Sequence, residues 1–399
     1  MGLVRLLACS DLIIYLRKMK SNIYKKSIAN FLECDPERIF LYWKGRVALY
    51  SILKAMELEK NDEVIIPALT CVVVPNAIIY AGLKPDYVDV DETTFNINVS
   101  LIESSITEKT KAIVCQNTFG LSSNIEQILS IAKKYNLFTI EDCTHGFGGY
   151  YNGKPNGSYC DAAFYSTQWN KPFSTGIGGF LVVKNDSLFS KLKNLESIKT
   201  KPGFREIGLL KFLLLFRKTF INKYTQPVLV SVYRFLSKYN FILGSNQGNE
   251  LKSTEMPKSY FKDISNVQIT AGIKSLIGLK ELNQLRFKNA NDYTNFLKSN
   301  NKNYVKEEYF GNHMFLKYPL LVKDREAFNE SARSMKIVLG DWFISPLHPV
   351  LEELDKWYFD PQKFPIASRL AKNLVNLPTD IKNNSDVIRF LRQNISNIF

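Results

Sequence analysis

EDCTHGFGGYYNGKPNGSYCDAAFYSTQWNKPFSTGIGGFLVVKND, residues 141–186, is the stretch on which the fold turns. It opens on the last two residues of one apolar run, LFTIED (137–142), and closes within another, GGFLVVKN (178–185). Between the two lie a glycine-rich turn region, a run of hydroxyls and aromatics, and a single lysine, Lys171. A lysine attacks a carbonyl only when neutral, and a free one near pKa 10.4 is almost wholly protonated at neutral pH. Trp169, Pro172 and Phe173 surround Lys171 and no acid occurs between Asp161 and Asp186, so burial there lowers its pKa. The glycines at 176, 178 and 179 let backbone approach a ligand closely. Taken alone, the position also reads as an ordinary loop lysine on the surface, which is what most lysines are.

Outward from this stretch, strands and helices alternate. DEVIIPAL (62–69) and PDYVDVD (85–91) are short β-branched runs, and VVPNAIIYAGL (73–83) between them is helical up to Gly82. TKAIVCQNTFG (110–120) reads as a buried strand and turn, IEQILSIAKKYN (125–136) as a helix, and LFTIED and GGFLVVKN as strands. Such alternation predicts an α/β fold with a mostly parallel central sheet flanked by helices. Ligands of these sheets collect at the carboxyl ends of the strands, which is where Asp142 would emerge; capping of the next turn is the competing role for that acid. SLIGLKELNQLRFKNANDYTNFLKS (275–299) predicts one long helix linking to a second lobe. HMFLKYPLLV (313–322) as a strand, with REAFNESARSM (325–335) and SDVIRFLRQNI (385–395) as helices, gives that lobe an α+β character. The expected division is a large domain over 1–280 and a smaller C-terminal domain over 281–399.

At 399 residues, with 45% hydrophobic and 23% charged side chains, the composition is that of a folded globular protein. The longest apolar run, IGLLKFLLLF (207–216), contains a lysine and is too short to span a bilayer, and Arg5 interrupts the apolar start, so neither a transmembrane helix nor an export signal is expected. Six cysteines lack CxxC spacing, which favours reduced thiols and a cytoplasmic setting. The three histidines, His145, His313 and His348, have no partner at ligand spacing, so no metal site is expected. The net charge of +14 is concentrated: between Lys199 and Asn240 nine basic residues face one acid, Glu206.

The chained pattern of residues 141–186 resembles the DegT/DnrJ/EryC1/StrS family, sugar aminotransferases that use pyridoxal phosphate (PLP) on the fold-type-I scaffold. The pattern is an Asp at a strand end, a His three residues on, a Gly-rich hairpin, a Ser five residues before a Lys, and a Gly-Gly strand start. Supporting stretches are GRVALYSIL (45–53), PALTCVVVPNAIIYAGLKPDYVDVD (67–91), QNTFG (116–120) and FPIASRLAKNLVNLPTD (364–380), so the likeness runs from about residue 43 to the C-terminus. The resemblance implies that Lys171 binds PLP covalently and shuttles the proton, Asp142 holds the ring nitrogen protonated, and His145 fixes the ring near its hydroxyl. Ser166 and the amides of Gly45, Arg46 and Val47 would hold the phosphate, helix N-termini being favourable for anions. Arg46 stands where many relatives carry a small hydroxyl residue, and its side chain could itself grip phosphate. Cys71 stands where relatives stack an aromatic on the ring. Asn266 is assigned to the loop by which a partner subunit closes the site. Relatives with histidine in place of the lysine act as dehydratases; Lys171 favours amino transfer.

The same resemblance implies a homodimeric enzyme moving an amino group, with glutamate as donor, to a nucleotide-linked keto sugar for a bacterial surface glycan. The alternatives are a PLP enzyme on a non-sugar or lipid-linked substrate, a dehydratase, or a non-catalytic membrane-surface protein on the same fold. No nucleic-acid partner is expected, because no recognised module accompanies the positive charge. The basic insert at about 200–245 departs from the family. Leu209, Leu213, Phe216 and Phe220 fall on one helical face beside Lys211, Arg217 and Lys218, and PVLVSVYRFL (227–236) adds a second apolar run. A peripheral contact with the inner membrane face through 204–240 is one reading. The favoured one is a helical hairpin packed on the dimer or over the active site.

Overall fold

The computed structural model describes residues 2–220, 225 and 250–399, with backbone only for 2–14 and 218. Seven strands form the central sheet: β1 (Ile39–Tyr42), β2 (Glu63–Pro67), β4 (Lys84–Val88), β5 (Thr110–Gln116), β6 (Phe138–Asp142), β9 (Ala162–Ser166) and β10 (Gly179–Val183). Their order is β1-β10-β9-β6-β5-β2-β4, and β10 alone runs against the rest. Among the described residues, three two-stranded pieces add to it: β3 (Thr70–Cys71) with β12 (Leu347–His348), β7 (Tyr150–Tyr151) with β8 (Lys154–Pro155), and β11 (Tyr318–Leu321) with β13 (Leu374–Leu377). The expected α/β architecture is therefore present. Sequence periodicity did not reveal β1 or β9, whose runs IFLY and AAFYS are buried throughout or nearly so and carry no alternation.

Helices α1 (Gly2–Leu32), α2 (Gly45–Ala55), α3 (Val73–Tyr80), α4 (Ile102–Ser105), α5 (Ile125–Lys134) and α6 (Asp186–Glu196) accompany the sheet. Next come α7 (Phe204–Phe220), α8 (Asn266–Ile277), α9 (Leu279–Ser299), α10 (Arg325–Ser334), α11 (Pro365–Asn373) and α12 (Ser385–Gln393). The single helix expected over 275–299 is in fact two. A capping box of Ser265 with Gln268 starts α8 earlier, and the chain leaves helical geometry at Gly278, a residue with little helix propensity. The strand expected over 313–322 shrinks to β11, because the chain arrives through a 3₁₀ turn at Glu307–Asn312.

Five apolar cores form among the described residues, and two of them bear on the site. The larger one includes Val64, Ile66, Val114 and Ile140 of the sheet, and it also takes in Phe343, Leu347, Trp357 and Leu370. The smaller one gathers Tyr293, Phe315, Phe328, Val375 and Phe390. Residues of the segment from 343 to 374 thus pack into the larger core.

Of the basic insert, α7 is described, and the run 227–236 lies outside the described residues. The helix is not amphipathic in the expected sense. Leu210 is buried and, with Leu214, packs against Trp169, Trp43 and Ile177, whereas Phe204, Phe212, Leu215 and Phe220 are exposed. Arg217 lies over the Trp169 ring at 5.1 Å. Among the described residues, no helix is long and apolar enough to cross a membrane.

Candidate active site

Register brings the key side chains to one edge of the sheet. Gln116, the last residue of β5, pairs with Asp142, the last of β6, and Asp142 pairs with Phe164, two residues before the end of β9 at Ser166. These strand ends open onto a cavity whose lining includes Gly45, Arg46, Cys71, Asp142, His145, Ser166 and Lys171. Residues expected from distant parts of the sequence therefore share one pocket.

Lys171 lies in the loop after β9, its backbone N–H donating to the Gln168 carbonyl at 3.1 Å. The side chain is buried, and burial lowers its pKa from the ordinary value to about 8, against upward pulls from Cys71 and Asp142. Burial pushes the Asp142 carboxyl up; hydrogen bonds from Thr144 and the charge of Lys171 act in the other direction. The Thr144 N–H donates to Asp142 Oδ1 at 2.9 Å. His145 accepts from the Phe119 N–H at Nδ1, 3.2 Å away. Burial drives its pKa well below the ordinary histidine value, so the ring is neutral and carries its proton on Nε2.

Opposite these groups, α2 begins at Gly45, whose first amides have no acceptor within the helix. A Cβ on Gly45 would stand 2.8 Å from the Ser166 Cβ, and one on Gly179 would stand 2.2 Å from the Gly45 Cα. The glycines thus bring the helix N-terminus against the Ser166 hydroxyl, leaving a cradle of polar hydrogens that suits a phosphate. Val47, by contrast, lies outside the cavity lining, and its N–H donates to the Lys44 carbonyl at 3.2 Å. The Arg46 guanidinium pairs with Glu250, both side chains being buried, so its charge is balanced from across the chain.

Cys71 lines the cavity at the end of β3, and burial raises its thiol pKa. Asn266 is exposed at the start of α8 and does not line the cavity of its own chain. Two residues on, Gln268 is fully buried, and its Nε2 donates to the carbonyls of Trp43 and Ile177.

Sequence reading missed the far wall. Trp342, Phe343 and His348 line the cavity because β12 pairs in parallel with β3, setting His348 opposite Cys71. Nothing local in DWFISPLHP (341–349) announces that pairing. Gln116 was within reach: it ends an apolar strand, as Asp142 does, and it holds Leu69 and Thr118 through its amide nitrogen.

A GDP-perosamine synthase of Escherichia coli O157:H7 is 44% identical over 147 residues, 37% of this chain and 40% of that protein. One from Caulobacter vibrioides is 35% identical over 182 residues, 46% of this chain and 48% of that protein. The chain thus spans less than half the length of these two relatives. Among solved structures, the E. coli GDP-4-keto-6-deoxy-D-mannose-3-dehydratase with bound hydrated PLP superposes with a TM-score of 0.70 at 18% identity, covering 94% of this chain and 91% of that one. The family description DegT/DnrJ/EryC1/StrS aminotransferase matches residues 42–206 and 243–390, leaving out most of the basic insert. With a match over most of its length and the strand-end Asp, the His and the Lys converging on one cavity, the chain belongs to the DegT/DnrJ/EryC1/StrS aminotransferase family.

Proposed function

We propose that the chain is a PLP-dependent aminotransferase that moves an amino group from glutamate to a nucleotide-linked keto sugar destined for a bacterial surface glycan. The observation that carries this reading is the burial of Lys171 and Asp142 on one cavity, across from the Gly45–Ser166 cradle. The residues present fit the cofactor: a carboxylate for a ring nitrogen, a neutral His Nε2–H for a ring oxygen, and a helix N-terminus with a hydroxyl for a phosphate. When bound, PLP supplies an electron sink for bond breaking at the α-carbon of the donor.

Lys171, partly neutral at neutral pH, takes the proton from that carbon and returns it elsewhere as general base and acid. The Asp142 carboxylate would hold a proton on the cofactor's ring nitrogen. Ser166 and the first amides of α2 hold the phosphate. Site closure by a partner subunit, with Asn266 contributing across a homodimer, belongs to the same proposal, as does a cytoplasmic location.

The test is incubation of the purified protein with glutamate and a panel of keto-sugar nucleotides, following 2-oxoglutarate. The expected result is at most one equivalent of 2-oxoglutarate per active site from glutamate alone and, with an accepted keto sugar, continued 2-oxoglutarate formation stoichiometric with the amino sugar made. Loss of water from the sugar without 2-oxoglutarate would favour the dehydratase alternative. Gly45→Ala probes the cradle: the added Cβ forces Ser166 and the helix apart, and PLP affinity by spectral titration should fall at least about tenfold, a loss of about 1.4 kcal/mol.

Peripheral membrane contact through 204–240 rests on the outward face of α7. If it occurs, Phe212 and Leu215 are the side chains that would enter the interface, since Leu210 is committed to the protein. Flotation with anionic vesicles that persists in a Phe212→Glu, Leu215→Glu double variant would discard it.

A further inference from the structure

Trp342 is the side chain that Lys171 touches and that no motif in the sequence announces. Its ring centroid lies 4.1 Å from Lys171 Nζ. The indole stacks with His348 at 4.9 Å and an interplanar angle of 22°, and it stands edge-on to His145 at 4.8 Å and 81°. Both histidines are buried, whereas Trp342 is only half-buried at the cavity. Its backbone N–H donates to Asn376 Oδ1 at 3.0 Å, and Asn376 is fully buried in β13, so the tryptophan is anchored in the second lobe while its ring borders the cavity.

We infer that Trp342 is the platform on which the sugar ring of the acceptor rests, and therefore a specificity-determining residue for the keto-sugar half of the reaction. This role rests on the aminotransferase reading above. An acceptor carbonyl reacts only when held about 3–3.5 Å from the attacking nitrogen, and Lys171 must reach the same centre to move its proton. Everything bonded to that carbon consequently lies within a ring's width of Nζ, and the indole occupies that space on the half-open side. A pyranose ring presents a face rich in C–H groups, which an indole face accepts through weak hydrogen bonds and contact area with few rotamers to freeze. An open-chain keto acid, such as the one left by the donor, offers no such face. The indole thus favours a cyclic acceptor over a linear one at a site that must admit both in turn.

The experiment separates the two half-reactions of the holoenzyme. The first is read from loss of the lysine-linked absorbance on adding glutamate, and the second from its return when the amino form meets the keto-sugar nucleotide that the wild type accepts best. Trp342→Ala should lower kcat/KM of the second half-reaction about 10- to 100-fold, mainly through KM, with a loss at least about tenfold smaller in the first. Trp342→Phe, which keeps a ring, should recover most of it. Equal losses in both halves, or weakened PLP retention in Trp342→Ala, would show instead that the indole positions Lys171 or the cofactor and would overturn the inference. So would a Trp342→Ala enzyme that takes sugar as well as the wild type. A wild type that converts glutamate but accepts no keto-sugar nucleotide would sink the sugar reading itself, a result distinguishable because it needs no variant.

Discussion

Lys171→Ala is expected to lower transamination by at least about three orders of magnitude and to remove the lysine-linked absorbance, while the purified chain stays folded. General acid and base catalysis by a positioned side chain contributes roughly 10²–10⁴-fold, and the same amine is proposed to anchor the cofactor as well. The pH dependence gives a sharper check. An amine is neutral above its pKa, and burial brings Lys171 down to about 8. At pH 7 about one molecule in ten then carries the neutral amine, against about one in 2,500 for a free lysine. The rate at which the cofactor-free protein captures PLP should accordingly rise with pH and level off just above pH 8, two units before a surface lysine would. A rise that continues past pH 10 would contradict the burial on which the site depends. The stability effect runs the same way. A lysine with a lowered folded-state pKa costs stability below that pKa, and the cost fades as pH rises towards the unfolded value, so the alanine variant should be no less stable at neutral pH.

Asp142→Asn is the second large effect, on the order of a 10²–10³-fold loss of turnover, or about 3–4 kcal/mol of transition-state stabilisation. The amide keeps the shape of the carboxyl and can still accept from Thr144, but it carries no charge to hold a proton on the ring nitrogen. A second signature accompanies the loss. The Asp142 charge is one of the influences that hold the Lys171 pKa up, so in the asparagine variant the capture midpoint should move further below 8. Stability should hold or rise, since burial disfavours the charged carboxyl of the wild type. A variant with full turnover and an unmoved midpoint would separate the two side chains functionally.

The parts of the fold legible in the sequence are those where composition changes sharply along the chain. β2, β5 and β6 are apolar runs closed by turn residues or acids, and Asp142, His145, Ser166 and Lys171 come from one contiguous stretch. Pairing across long separations left no local trace. The charge balance of Arg46 by Glu250 joins positions about 200 residues apart, so a side chain that reads as a phosphate grip is an internal ion pair. Trp342 and His348 enter the site because two residues of β12 find β3, and a two-residue strand has no periodicity to detect. The helix break at Gly278 was visible in principle, but flanking leucines kept the 3.6-residue pattern unbroken across it.

The pairing of β12 with β3 also sets an order in time. During synthesis, the lysine, the aspartate and the helix proposed to cradle the phosphate have all emerged before the tryptophan and histidine of the opposite wall, which come more than 160 residues later. A nascent chain that captured the cofactor early would hold it in a trough open to water on one flank. Tight retention is therefore expected only once the region around residue 348 has left the ribosome and docked, and a truncation upstream of that point would also strip Phe343, Leu347, Trp357 and Leu370 from the larger core.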